Sequence, residues 1–151
     1  MNKFILLVAF LTATSSYGAT LEDLFNGFER CTFKGAYYDI HTQKVPNSYF
    51  EERNLKPYKL EDSLAYYSVK DSFYGIPVSE IIIPITFDLH VLVFDMPLSK
   101  VAAILHEKSF HLSENTNEIE NGDAPALRPY KNYKDKSTLY CNERIGGVPP
   151  P

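Results

Sequence analysis

Two Asp-x-His tripeptides, Asp39-Ile40-His41 and Asp88-Leu89-His90, carry the residue types best suited to chemistry in this chain. On a β-strand, residues i and i+2 face the same way, so each tripeptide sets a carboxylate beside an imidazole. A carboxylate fixes the tautomer of a neighbouring histidine and raises its basicity, which suits a general base or a metal ligand. If the two strands adjoin, Asp39, His41, Asp88 and His90 form a zinc-like ligand set. The competing reading is simpler. Asp88 and His90 alternate with Phe87, Leu89 and Val91 as the wet face of a half-buried strand. Two matches to so short a pattern need little beyond chance, and we take the second reading. His106 and His111 are five residues apart and share no helix face, so they make no helical metal pair.

Established catalytic motifs are missing. The sequence holds no G-x-S-x-G elbow, no H-E-x-x-H, no phosphate-binding glycine loop, no G-x-G-x-x-G and no C-x-x-C. A non-enzymatic protein without a cofactor is therefore the expectation, with a metal-dependent enzyme using the Asp-x-His pairs as an alternative.

Recognition chemistry has more material. There are 11 tyrosines and no tryptophan. Tyr37/Tyr38 and Tyr66/Tyr67 fall on expected strands, so each pair sends one ring to each face. A tyrosine on an open sheet face offers contact area at low entropic cost, which makes Tyr66 and Tyr67 candidate binding residues. The segment Ser113–Asp123 adds Glu114, Glu118, Glu120 and Asp123 with no basic residue, the pattern of a solvated or recognition loop. Arg128–Lys136 then reverses the sign, with Tyr130 and Tyr133 interleaved among the cations. That stripe superficially suits single-stranded nucleic acid. A net charge of -4 and a pI near 5.5 argue against it.

The elements that must position these groups follow from periodicity. Leu21, Leu24, Phe25 and Phe28 repeat at i, i+3, i+4, i+7, which predicts a helix over 20–30 capped by Thr20 with Asp23. Strands are expected at 32–40, 63–69, 78–85, 87–94 and 137–141, with the third bent at Pro84. A polar loop fills 41–59. Asp95-Met96-Pro97 opens a second helix running to about Lys108, with Asp95 as its cap. The fold class is α+β: a mainly antiparallel sheet of about four to five strands, with an N-terminal helix and one later helix packed on one face.

Length bounds the rest. A chain of 151 residues with 44% hydrophobic and 23% charged residues makes one domain with its own core. Lys3 followed by the apolar run Phe4–Leu11, and by Ser16-Tyr17-Gly18, reads as a secretory signal cut before Ala19. We therefore expect a cleaved segment 1–18, a domain over 19–145 and a Pro-rich tail over 146–151. Losing Lys3 takes the net charge to -5. No apolar run reaches the ~18 residues of a membrane span. No asparagine stands in an N-x-Ser/Thr sequon, which leans towards a bacterial periplasm. In an oxidising compartment Cys31 and Cys141 should pair, joining the start of the exported chain to its end; the last strand would then lie beside the first.

These readings converge on a small periplasmic or secreted binding protein whose partner is another protein, a basic one by charge. Within that class an inhibitor or immunity protein for an envelope-targeted hydrolase or toxin fits best, because an acidic surface steers towards basic partners. A structural or assembly subunit of a cell-envelope complex is the alternative from a different class.

Overall fold

The computed structural model describes residues 18–33 and 35–142. The expected signal segment, apart from Gly18, and the Gly146–Pro151 tail lie outside the described residues. The architecture is α+β. Six antiparallel strands form one sheet: β1 (Lys59–Glu61), β2 (Leu64–Phe73), β3 (Ile76–Pro84), β4 (Leu89–Phe94), β5 (Ala126–Tyr130) and β6 (Tyr133–Asn142). Their spatial order is β1-β2-β3-β4-β6-β5. The helices are α1 (Leu21–Leu24), α2 (Ser48–Glu52), α3 (Leu98–Glu107) and α4 (Thr116–Glu120), with a 3₁₀ turn at Phe28–Arg30.

The expected N-terminal helix is one turn long. Thr20 Oγ1 accepts from the Asp23 amide at 3.1 Å, and the Asp23 carboxylate accepts from the Thr20 amide at 2.9 Å, the capping box that the sequence predicts. Gly27 then ends the helical path by turning left-handed at φ 95°. A Cβ there would stand 2.8 Å from the Phe33 amide nitrogen. The apolar stripe is nonetheless correct as a core list, since Leu21, Leu24, Phe25 and Phe28 are all buried.

The expected strand at 32–40 does not form. Among the described residues of this segment none belongs to a strand of the sheet: Phe33, Ala36 and Tyr38 are buried, Asp39 makes an isolated bridge with Lys44, and the Tyr38 amide donates to the Pro84 carbonyl. Its side chains cover the sheet; its backbone does not extend it. The polar stretch 41–59 is not a plain loop either. Asn47 caps α2 through its side chain, and Tyr49 and Phe50 drop into the core. Likewise the polar 113–129 stretch contains α4, anchored by buried Ile119, and most of β5. Arg128–Lys136 is the hairpin joining β5 to β6, with Lys131 in the turn at φ 53°.

The hairpin expected over 78–94 is β3–β4, although β4 starts at Leu89, two residues later than the sequence suggests. Both prolines of β3 are accommodated because β4 pairs only with Val78–Ile82, so Pro77 and Pro84 face a strand on the β2 side alone. Asp95 is not the cap of α3: Pro97 holds that position, and the Asp95 carboxylate pairs with Lys136 at 2.8 Å. The stripe of α3 is as expected, with Val101 and Leu105 fully buried.

The two sheet faces differ. The inner face carries Tyr67, Phe73, Ile81, Ile83, Leu92 and Phe94 into the main core beneath Phe25, Phe28, Phe33 and Phe50. The outer face carries only a small apolar stripe, Leu64, Ile82, Val91 and Val93, edged by part-buried Tyr66, Tyr130 and Tyr140.

Cys31 and Cys141 are disulfide-bonded, with Cα atoms 5.5 Å apart and a sequence separation of 110. The last strand does not lie beside the first, however. β6 runs between β4 and β5, and the bond ties it to the chain just after the 3₁₀ turn. Two stability outcomes are expected. Replacing both cysteines with serine should cost on the order of 4–5 kcal/mol in the chain-entropy account of so long a loop, read as a lower denaturant midpoint. Gly27→Ala should cost about 1–3 kcal/mol, because a Cβ there meets backbone at a positive φ.

Candidate functional site

The two Asp-x-His pairs sit in unrelated settings. Asp39 closes a turn, its carboxylate accepting from the His41 amide at 2.8 Å and the Thr42 hydroxyl at 2.9 Å. Those bonds hold its pKa below the ordinary aspartate value, while the His41 ring is left exposed. Asp88 precedes β4 and accepts from the Tyr37 hydroxyl at 2.7 Å. His90 lies in the core, so it is not part of a wet strand face as the sequence suggests. It is fully buried, its Nε2 is 2.6 Å from the Ala36 carbonyl oxygen, and its ring meets Phe33 and Tyr37 edge to face. A carbonyl oxygen only accepts, so Nε2 carries the proton. Neither tripeptide lies wholly on a strand. Among the described residues, no three His, Cys, Asp or Glu side chains come together as a metal site.

Each adjacent tyrosine pair is split, Tyr66/Tyr67 by the pleat of β2 and Tyr37/Tyr38 on a segment outside any strand. Tyr38 and Tyr67 are buried, and Tyr37 and Tyr66 turn outward. Tyr67 packs against Phe50, with ring centroids 4.8 Å apart, so of the candidate pair only Tyr66 can meet a partner. In the acidic segment, Glu118 is spent internally: its carboxylate accepts from the Ser113 hydroxyl at 2.5 Å. Glu114, Glu120 and Asp123 are exposed around α4.

The structure assembles a constellation that sequence reasoning missed. On the outer face, the Glu80 carboxylate accepts from the Tyr58 hydroxyl and, at 3.3 Å, from the Tyr130 hydroxyl. Glu80 lies on β3, whereas Tyr58 leads into one edge strand and Tyr130 ends the other. In a flat sheet β5 would stand about 14 Å from β3 at the usual strand spacing. The two phenols therefore lean in over a concave face. That depression measures about 450 Å³ and includes Tyr58, Ser79, Glu80, Tyr130 and Lys136. Pairing shifts register beside Glu80 on both sides, between Ser68 and Asp71 of β2 and between Val78 and Glu80 of β3. Such a bulge re-aims side chains, and here it sets Ser79 and Glu80 into one recess. One sequence signal for it existed: a lone carboxylate inside the β-branched run Val78–Ile85.

Rings and cations organise the rim. Tyr130 and Tyr133 stack with centroids 5.9 Å apart, Lys131 lies 4.9 Å from the Tyr130 ring, and Lys59 lies 4.8 Å from the Tyr66 ring. Tyr58 also forms one wall of a second recess of about 840 Å³, built from the segment 42–60. No protein-family model matches the chain, and neither a curated protein nor a solved structure matches it.

Three phenols give a pH prediction. Burial pushes Tyr49 up, and its 2.8 Å hydrogen bond to Asp71 adds to the shift. Burial raises Tyr67; burial and then the bond to Glu80 raise Tyr58. A raised folded-state value means that stability is complete below the ordinary tyrosine range, near pH ~10, and is lost as pH rises through the folded values. The denaturant midpoint of the oxidised protein should fall above about pH 10. Near-ultraviolet phenolate absorbance should show Tyr49, Tyr58 and Tyr67 ionising late, together with unfolding. A midpoint unchanged to about pH 12 would contradict the assignment.

Proposed function

We propose that this chain is an exported, non-enzymatic binding protein and that the outer sheet face receives its partner, another protein. The observation that carries the reading is the tyrosine-rich concave face around Glu80. Its rings are already ordered by hydrogen bonds, stacking and cation contacts. Ordered aromatic anchors lose little further entropy on binding, which is what a recognition surface needs. The apolar stripe Leu64, Ile82, Val91 and Val93 lies beneath them on the same face. The Cys31–Cys141 bond is compatible with an oxidising compartment. No helix among the described residues is long and apolar enough to cross a membrane.

Within that class we favour an inhibitor or immunity role against an envelope-targeted hydrolase or toxin. Support comes from the net charge of -4 and from the exposed carboxylates Glu114, Glu120 and Asp123, which would steer a basic partner's approach.

The test is a capture with oxidised Ala19–Pro151 from envelope and secreted fractions, followed by affinity measurement on the protein retained. Tyr133→Ala, at a ring 55% exposed, should weaken binding by roughly tenfold or more and leave the thermal midpoint unchanged. Glu114→Lys with Glu120→Lys should chiefly slow association with a basic partner. If every partner binds the Tyr133 variant as tightly as the parent, the outer face is not the recognition surface.

A further inference from the structure

The recess over 42–60 is separate from the docking face, and its chemistry differs. Its volume of about 840 Å³ is that of a small-molecule site. The floor is apolar: Tyr38, Val45 and Phe50 are at most 5% exposed, and half-buried Leu55 extends it. Cations stand on the rim. Lys59 is already held by Glu61. Among the described residues, neither Lys44 nor Lys56 has a carboxylate within ion-pair distance. Glu51 is the one carboxylate lining the recess. On a chain of net charge -4, this is a locally cationic opening over an apolar floor.

The backbone that carries these lysines is pinned. Lys44 exchanges two hydrogen bonds with Asp39, at 2.8 and 3.3 Å. On the opposite rim, the Asn54 amide reaches the Glu51 carbonyl at 3.0 Å and the Leu55 amide reaches the Phe50 carbonyl at 3.0 Å. Gln43 and Asn54, one on each rim, hold left-handed backbone at φ 55° and 48°. A rim backbone fixed in this way need not be ordered by the ligand, which lowers that part of the entropic cost of binding.

We infer that this recess binds a small amphiphilic carboxylate, with an acyl or aryl body on the Val45–Phe50–Leu55 floor and the anionic head between Lys44 and Lys56. The inference does not depend on the protein-docking reading, since its floor and its two free lysines lie outside that surface; Tyr58 and Lys59 border both. The site selects for charge and apolar body together. A neutral molecule with the same tail leaves two cations unanswered, and a headgroup alone leaves the floor wet.

The probe is decanoate, kept below its micelle-forming concentration and titrated into the oxidised full-length exported chain, with backbone amide shifts as the readout. Saturable one-to-one binding is expected, with the shifts concentrated in residues 42–60. Decanol should bind at least about tenfold more weakly. Lys44→Gln with Lys56→Gln should lower decanoate affinity by roughly tenfold, leave decanol binding as it was and leave the thermal midpoint unchanged. The assignment is overturned if decanol binds as tightly as decanoate, if the double variant matches the parent, or if the shifts fall on Tyr66, Tyr130 and Tyr140. Tighter binding of an acetylated tripeptide ending in leucine would replace the small molecule with a peptide C-terminus and also overturn it. Loss of the protein partner with Tyr133→Ala, while decanoate still binds, separates the two sites.

Discussion

The disulfide between Cys31 and Cys141 ties a stretch of chain with little regular secondary structure to a long strand of the sheet. The described residues of 18–47 contain one helical turn and one 3₁₀ turn, yet they supply Phe25, Phe28, Phe33 and Tyr38 to the main core. Segments with so few backbone bonds of their own hold their place through packing and cross-links. The rings do much of this: Phe25, Phe28 and Phe33 form an edge-to-face cluster with centroids 4.9–5.8 Å apart, and Phe33 continues it onto His90. The disulfide fixes where that cluster sits along β6.

Covering one face leaves the other open. An antiparallel sheet tolerates this arrangement, with one packed and one wet face. Here the wet face has been curved by the bulge beside Glu80 and spanned by phenols arriving from both edges. The curvature makes a shallow recess from strands that would otherwise be flat. It also gives Glu80 two hydrogen-bond donors, so a carboxylate set among Ile and Val residues is satisfied. The same physics that makes the carboxylate tolerable holds Tyr58 and Tyr130 still.

Legibility in the sequence followed the range of the interactions. The capping box at Thr20, the apolar stripe of α3 and the β3–β4 hairpin are set within a few residues, and each stands where periodicity put it. The split of Tyr66 from Tyr67 was legible too, because alternation across a strand is local. The Asp-x-His pairs misled for the complementary reason. Their reading assumed that both residues lie on one strand, whereas Asp39 closes a turn and Asp88 falls just before β4. The segment 32–40 misled through its composition: Phe33, Ala36 and Tyr38 are apolar because they cover a sheet, and alternation cannot distinguish covering from joining.

By itself, then, the sequence determined the α+β class, the inward residues of most elements and the pairing of its two cysteines. Each depends on spacing along the chain or on there being only one partner available. Tertiary structure alone decided that β6 inserts between β4 and β5, that Glu80 meets Tyr58 and Tyr130, and that Lys44 and Lys56 open over an apolar floor. Glu80 meets tyrosines 22 and 50 positions away, and the β4–β6 partners stand 43 to 53 positions apart. Their energies come from strand order, sheet curvature and burial, which take shape only once the whole sheet is assembled.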